Sequence, residues 1–176
     1  PPGLIERIAK IVESGPRISN RELIELCNES GISVSSGDSH IFHEIAETAL
    51  NSLIHKKYGS ELLIRPDPAD AVSTVLRPLQ ERLPTQTWRS ETQITFQQFS
   101  TPVAIAYLAA YLLNIQQGET VLEPSCGTGS FAVWAETCGA SVITNEIDPR
   151  RRTLAQTLGL EPYAFDGEFI DDLLPE

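Results

Sequence analysis

The 176 residues carry a net charge of −11, with 41% hydrophobic and 21% charged residues, a globular composition with enough chain to bury a core. No apolar run approaches the roughly 20 residues of a membrane span, and no charged-then-apolar leader opens the sequence. Three unclustered cysteines, Cys27, Cys126 and Cys138, argue against a disulfide framework or zinc site, so a reduced, cytoplasmic setting is expected.

The charge is uneven: residues 1–84 hold 9 basic and 12 acidic side chains, residues 85–176 only 4 basic and 12 acidic. Affinity for nucleic acid comes mostly from neutralised phosphates, so tight DNA binding by this chain alone is not expected. The chain has no methionine, which reads as a processed or excised piece of something longer.

Residues 1–65 read as helical. Leu4, Ile5, Ile8, Ile11 and Val12 fall at helical spacing, and Gly15-Pro16 ends that helix. Ser19-Asn20-Arg21-Glu22 has the pattern of a capping box, opening a helix that runs to Gly31. Ser39 is expected to start a longer helix with Ile41, Ile45, Ala49, Leu53 and Ile54 inward, ended by Tyr58-Gly59. A helix-turn-helix reading around Asn20-Arg21-Glu22 competes with a plain helical bundle, which the lack of a basic face favours. His40, His43 and His55 lack the companion ligands of a metal site and read as surface or core residues.

Residues 66–96 read as a connector. Ala71, Val72, Val75, Leu76 and Leu79 suggest one helix broken near Pro78, and Thr85 to Phe96 is expected to lie along the next domain as an arm. Thr101 as N-cap and Pro102 at the first helical position then start an apolar helix, Ala104 to Leu113, expected to be buried against a sheet.

From there strands and helices alternate. Thr120-Val121-Leu122 ends at Glu123; a glycine turn leads into a helix over 130–137, closed by Cys138-Gly139-Ala140. Ser141 to Asn145 ends at Glu146. Asp148-Pro149 caps a helix to Leu158, stopped by Gly159, and Leu160 to Phe165 ends at Asp166-Gly167. The pattern predicts an α/β fold with three parallel strands, the first part of a Rossmann-like sheet. Each strand ends in a carboxylate, at the edge where ligands of open α/β sheets bind. Glu146 lies about 20 residues beyond the glycines, the position from which an acid meets ribose hydroxyls.

Glu123-Pro124-Ser125-Cys126-Gly127-Thr128-Gly129 resembles motif I of S-adenosylmethionine (SAM) dependent methyltransferases, in the form most similar to enzymes that modify adenine N6 in DNA. Gln98-Phe99-Ser100-Thr101-Pro102, some 20 residues upstream, resembles motif X of that family. The resemblance covers residues 97–176 and implies SAM as cofactor. It places Glu123 near the methionine moiety, Glu146 on the ribose, Ile147 against the adenine and Asp166-Gly167 at its exocyclic amine. Phe99, Ser100, Thr101 and Pro102 would close over the methionine end, with Thr101 on the carboxylate. A nicotinamide site competes less well: Ala132 stands at its third glycine position, while Pro124 and the 99–102 turn favour SAM. No Lys-Ser/Thr follows the glycines, which excludes a phosphate loop. Cys126 has no histidine near in sequence to activate it, and Arg150-Arg151-Arg152 reads as a solvated helix face sooner than a phosphate contact.

In the resembled family a strand-four tetrapeptide, Asn/Asp/Ser-Pro-Pro-aromatic, receives the flipped-out base. This chain has none, and residues 168–176 read as the run-up to that strand. The expectation is therefore the cofactor half of a DNA adenine-N6 methyltransferase, inactive by itself, contacting DNA through its parent. A methyltransferase–helicase protein of phage or plasmid type is weakly similar. An amino-methyltransferase acting on protein glutamine or RNA, or a non-catalytic interaction module, are the alternatives. An unpaired edge of the first strand would invite a homodimer.

Overall fold

The computed structural model describes residues 2–34, 39–85 and 100–174. Phe99 and the expected arm at 85–96, apart from Thr85, lie outside the described residues. Three helices open the chain: α1 (Pro2–Ser14), α2 (Asn20–Glu29) and α3 (His40–Leu53). The Ser19 capping box forms as read, the hydroxyl accepting from the Glu22 amide and the Glu22 carboxylate accepting from the Ser19 amide at 2.7 Å. Helix α3 packs along α1 and also touches α2.

The helix of α3 does not end at Tyr58-Gly59. It passes through a π-helical turn, Ile54–Tyr58, into α4 (Gly59–Leu63). Gly59 is helical, and a Cβ there would come within 2.9 Å of the Thr137 side chain. The glycine is a point of close packing, so it does not act as a stop signal. Likewise α5 (Pro68–Ala71), a π turn over Val72–Leu76 and α6 (Arg77–Glu81) follow one another without a break, and Pro78 is accommodated directly after the π turn.

Helix α7 (Val103–Leu113) starts one residue later than expected. The Pro102 carbonyl accepts from the Ile105 and Ala106 amides at 2.9 and 3.0 Å, and Thr101 makes no cap. Nor is α7 buried on a sheet. Val103, Ala106, Tyr107 and Ala110 are buried, while Ile105, Leu112 and Leu113 are exposed. Tyr107 donates to the Leu62 carbonyl at 3.0 Å and its ring meets Trp134 at 5.1 Å, so this helix packs on helices.

Strands β1 (Thr120–Glu123) and β2 (Ser141–Thr144) pair in parallel, Glu123 opposite Thr144. Between them lies α8 (Ala132–Thr137), and α9 (Pro149–Gln156) follows β2, capped by Asp148 with Pro149 at its first position. The third strand expected at Leu160–Phe165 does not form: Tyr163 makes one parallel bridge to Asn145, with two backbone bonds, and the ladder stops there. The chain closes with a 3-10 turn, Gly167–Phe169, and α10 (Ile170–Leu173). The result is a mixed helical fold around a two-stranded parallel sheet.

One continuous hydrophobic core runs from Leu4 and Ile8 through α3 and Leu62 to Trp134, Leu158 and Leu160. No described helix is long and apolar enough to cross a membrane.

Candidate functional site

The glycine loop leaves β1 at Glu123 and is fixed from β2. Asn145, fully buried, donates from Nδ2 to the carbonyls of Pro124 and Phe165 at 3.0 Å each, and its Oδ1 accepts from the Phe165 amide at 2.8 Å. One amide group thus ties together the chain after β1 and the chain before Asp166. Glu146, 6% exposed, accepts from the Gly127 amide through Oε2 and from the Asp148 amide through Oε1, both at 2.8 Å. The ends of the two strands and the 163–167 segment therefore converge. A Cβ on Gly167 would lie 3.5 Å from the Pro124 carbonyl and 3.7 Å from Ser125 Oγ, and Ile147, next to Glu146 in the chain, is more than half exposed. Asp166 caps the following turn, its Oδ1 accepting from the Glu168 amide at 3.1 Å, and the residue is exposed.

The loop glycines face protein. Gly127 (φ +56) has the Arg151 guanidinium 3.6 Å from where its Cβ would be, and at Gly129 (φ +89) a Cβ would meet Leu158 and Leu160 at 2.9 Å. Thr128 is buried and turned to α3, where Asn51 Nδ2 donates to its carbonyl and to Ser130 Oγ, both at 3.2 Å. Cys126 is buried, its thiol pushed up to about 12 by burial and by the carboxylates of Glu146 and Glu123, which removes it as a nucleophile. Burial raises the Glu123 carboxyl above its usual range, offset in part by a hydrogen bond from the Ser125 backbone.

The triple arginine is neither a solvated face nor a free phosphate contact. Glu44, 2% exposed, takes Arg150 Nε at 2.9 Å and Arg151 Nε at 3.2 Å. Arg152 donates to the Glu146 carbonyl at 3.0 Å. A buried carboxylate opposite two guanidiniums satisfies the requirement that buried charge be paired. Arg151 also donates to Ser100 Oγ at 3.1 Å, linking the 100–102 turn to the glycine loop.

Ser100, Thr101 and Pro102 line a cavity of about 210 Å³ together with Ser130 and the α3 residues His43, Glu47 and Asn51. The two sets of residues expected around one cofactor thus form two neighbouring groups: the strand-end group of Glu123, Pro124, Ser125, Glu146, Ile147 and Gly167, and the cavity group. Burial holds the His43 imidazole below its usual range, and His55 sits 3.5 Å from Glu136. Among the described residues no cluster of three His, Cys, Asp or Glu side chains could hold a metal.

Asn145, Glu44, Glu47 and Asn51 were not singled out from the sequence. The signal for three of them is there: His40, His43, Glu44, Glu47 and Asn51 recur at three- to four-residue spacing, a polar stripe along a helix otherwise apolar enough to be core. Comparison with protein-family models, with curated proteins and with solved structures returned no match.

Proposed function

We propose that the chain is the SAM-binding part of a methyltransferase acting on an exocyclic amine, adenine N6 in DNA being the substrate its motifs most resemble. The observation that carries the reading is the junction of Glu146 with the Gly127 amide at the carboxyl ends of two parallel strands. A carboxylate has about four acceptor sites, and two backbone amides occupy only two of them. Glu146 keeps lone pairs for ribose hydroxyls, the exposed Ile147 offers an apolar face for adenine, and Gly167 leaves room beside Ser125. With no Pro-Pro-aromatic tetrapeptide in the sequence, these residues bind and orient the cofactor; base recognition and methyl transfer belong to other segments, which also supply the basic surface for DNA. Among the described residues β1 pairs with β2 alone, and a homodimer through its other edge is part of the same proposal.

A non-catalytic module of the same fold is the second reading. What favours it is the filling of the glycine loop by Arg151, Leu158 and Leu160. Titration calorimetry with SAM separates the two. Binding that Glu146→Ala weakens by about 1–3 kcal/mol supports the first; a folded wild-type chain that takes up no SAM at millimolar concentration supports the second.

A further inference from the structure

Gly127 is held from two sides. On one, its amide donates to Glu146 at the end of β2. On the other, Arg151 Nη1 lies 3.6 Å from the point a Cβ would occupy. Arg151 is 5% exposed, and its direction is set by Glu44 of α3, whose carboxylate meets Nε at 3.2 Å, while Ser100 Oγ accepts from Nη2 at 3.1 Å. The same carboxylate accepts from Arg150 Nε at 2.9 Å, at the start of α9, and α9 packs on α3. Two turns further along the same face of α3, Asn51 donates to the Thr128 carbonyl and to Ser130 Oγ. One helix face thus reaches the glycine loop through two separate contacts.

A buried ion pair contributes little net stability, because desolvating its charges offsets most of their attraction. What it does supply is a fixed direction for the guanidinium, whose planar fork meets a carboxylate in few orientations. Glu44 is 2% exposed and has no surface to offer a ligand, so any effect it has on one passes through the arginines.

We propose that Glu44 is a positioning residue for the cofactor: acting through Arg151, it holds Gly127 in the left-handed turn, φ +56, that presents the loop at the strand ends. The helical N-terminal region is then part of the binding unit, although the motif resemblance does not reach it. This inference rests on the SAM reading of the preceding section.

The test combines calorimetry with SAM and amide hydrogen exchange of the ligand-free full chain. Glu44→Gln keeps the shape and removes the charge. It should weaken SAM binding about two- to thirtyfold, the scale of coupling through packed neighbours. It should also speed exchange at the Gly127 and Gly129 amides, which bond to Glu146 and to the Cys126 carbonyl. Arg151→Lys should do the same, and the double variant should lose no more than the worse single one, because both act through one contact. Ile8→Val, in the core of α1, controls for general loss of stability and should leave both readouts as in the wild type. Additive losses in the double variant overturn the route through Arg151. Loop exchange unchanged in Glu44→Gln overturns the positioning role, and faster exchange with unchanged SAM affinity overturns its link to the cofactor. Equal losses in Ile8→Val also overturn it, since they mark general damage to the fold. A wild-type chain that binds no SAM overturns the cofactor reading, and the exchange measurement then decides by itself whether Glu44 braces the loop.

Discussion

Glu47 makes the stability of this protein depend on pH in a direction opposite to that of most carboxylates. Its environment combines burial, a hydrogen bond from Ser100, the Arg151 guanidinium and the like charge of Glu44; burial dominates and pushes the carboxyl up from 4.5 to about 7. The folded chain therefore holds this proton more tightly than the unfolded chain does. The resulting stabilisation is fully present below about pH 4.5 and is lost as the pH rises through about 7. A rise of some 2.5 units at about 1.36 kcal/mol each gives roughly 3 kcal/mol. Glu47→Gln removes the titration and keeps the shape. Urea unfolding of both proteins from pH 4.5 to 8 should show the wild type losing about 3 kcal/mol relative to the variant, with unchanged m-values. Other groups titrate alike in the two proteins and cancel in the difference. Parallel curves across that range would refute the burial argument, because they would mean that Glu47 is solvated in the folded state.

Three further outcomes follow from the same geometry. Gly129→Ala forces a side chain into φ +89 with Leu158 and Leu160 at 2.9 Å; strain and repacking should cost about 1–3 kcal/mol in denaturant unfolding, and a variant as stable as the wild type would contradict the packing described for the loop. Asn145→Ala leaves two carbonyls and the Phe165 amide without their partner, a loss of about 2–4 kcal/mol, with faster amide exchange around Pro124–Gly127 and Phe165. For the thiols, burial lifts Cys27 to about 11 and Cys126 to about 12, whereas Cys138 is partly exposed; alkylation of the native protein at pH 8, read by peptide mass mapping, should label Cys138 first, and early modification of Cys126 would count against its buried position.

Much of the local structure was legible in the residues because its causes are local. The Ser19–Glu22 box, the Asp148-Pro149 helix start and the two strands depend on contacts three or four positions apart or on an alternating run, and they stand where the pattern puts them. The glycine loop and Glu146 also come together as their spacing implies, since a strand, a tight turn and the neighbouring parallel strand leave little freedom.

What the sequence could not show are the partners found across the fold. Gly59 looked like a stop until Thr137 was placed against it, and the three arginines looked solvated until Glu44, 106 positions from Arg150, was found beneath them. The third strand carries a strand-like sequence yet keeps a single bridge, because Asn145 holds its end by side-chain bonds in place of a ladder. Periodicity told which faces are apolar. Which polar groups those faces enclose, Glu44, Glu47 and Asn51 above all, was decided only when α3 met the loop, since a buried charge is tolerable only where packing brings it a partner.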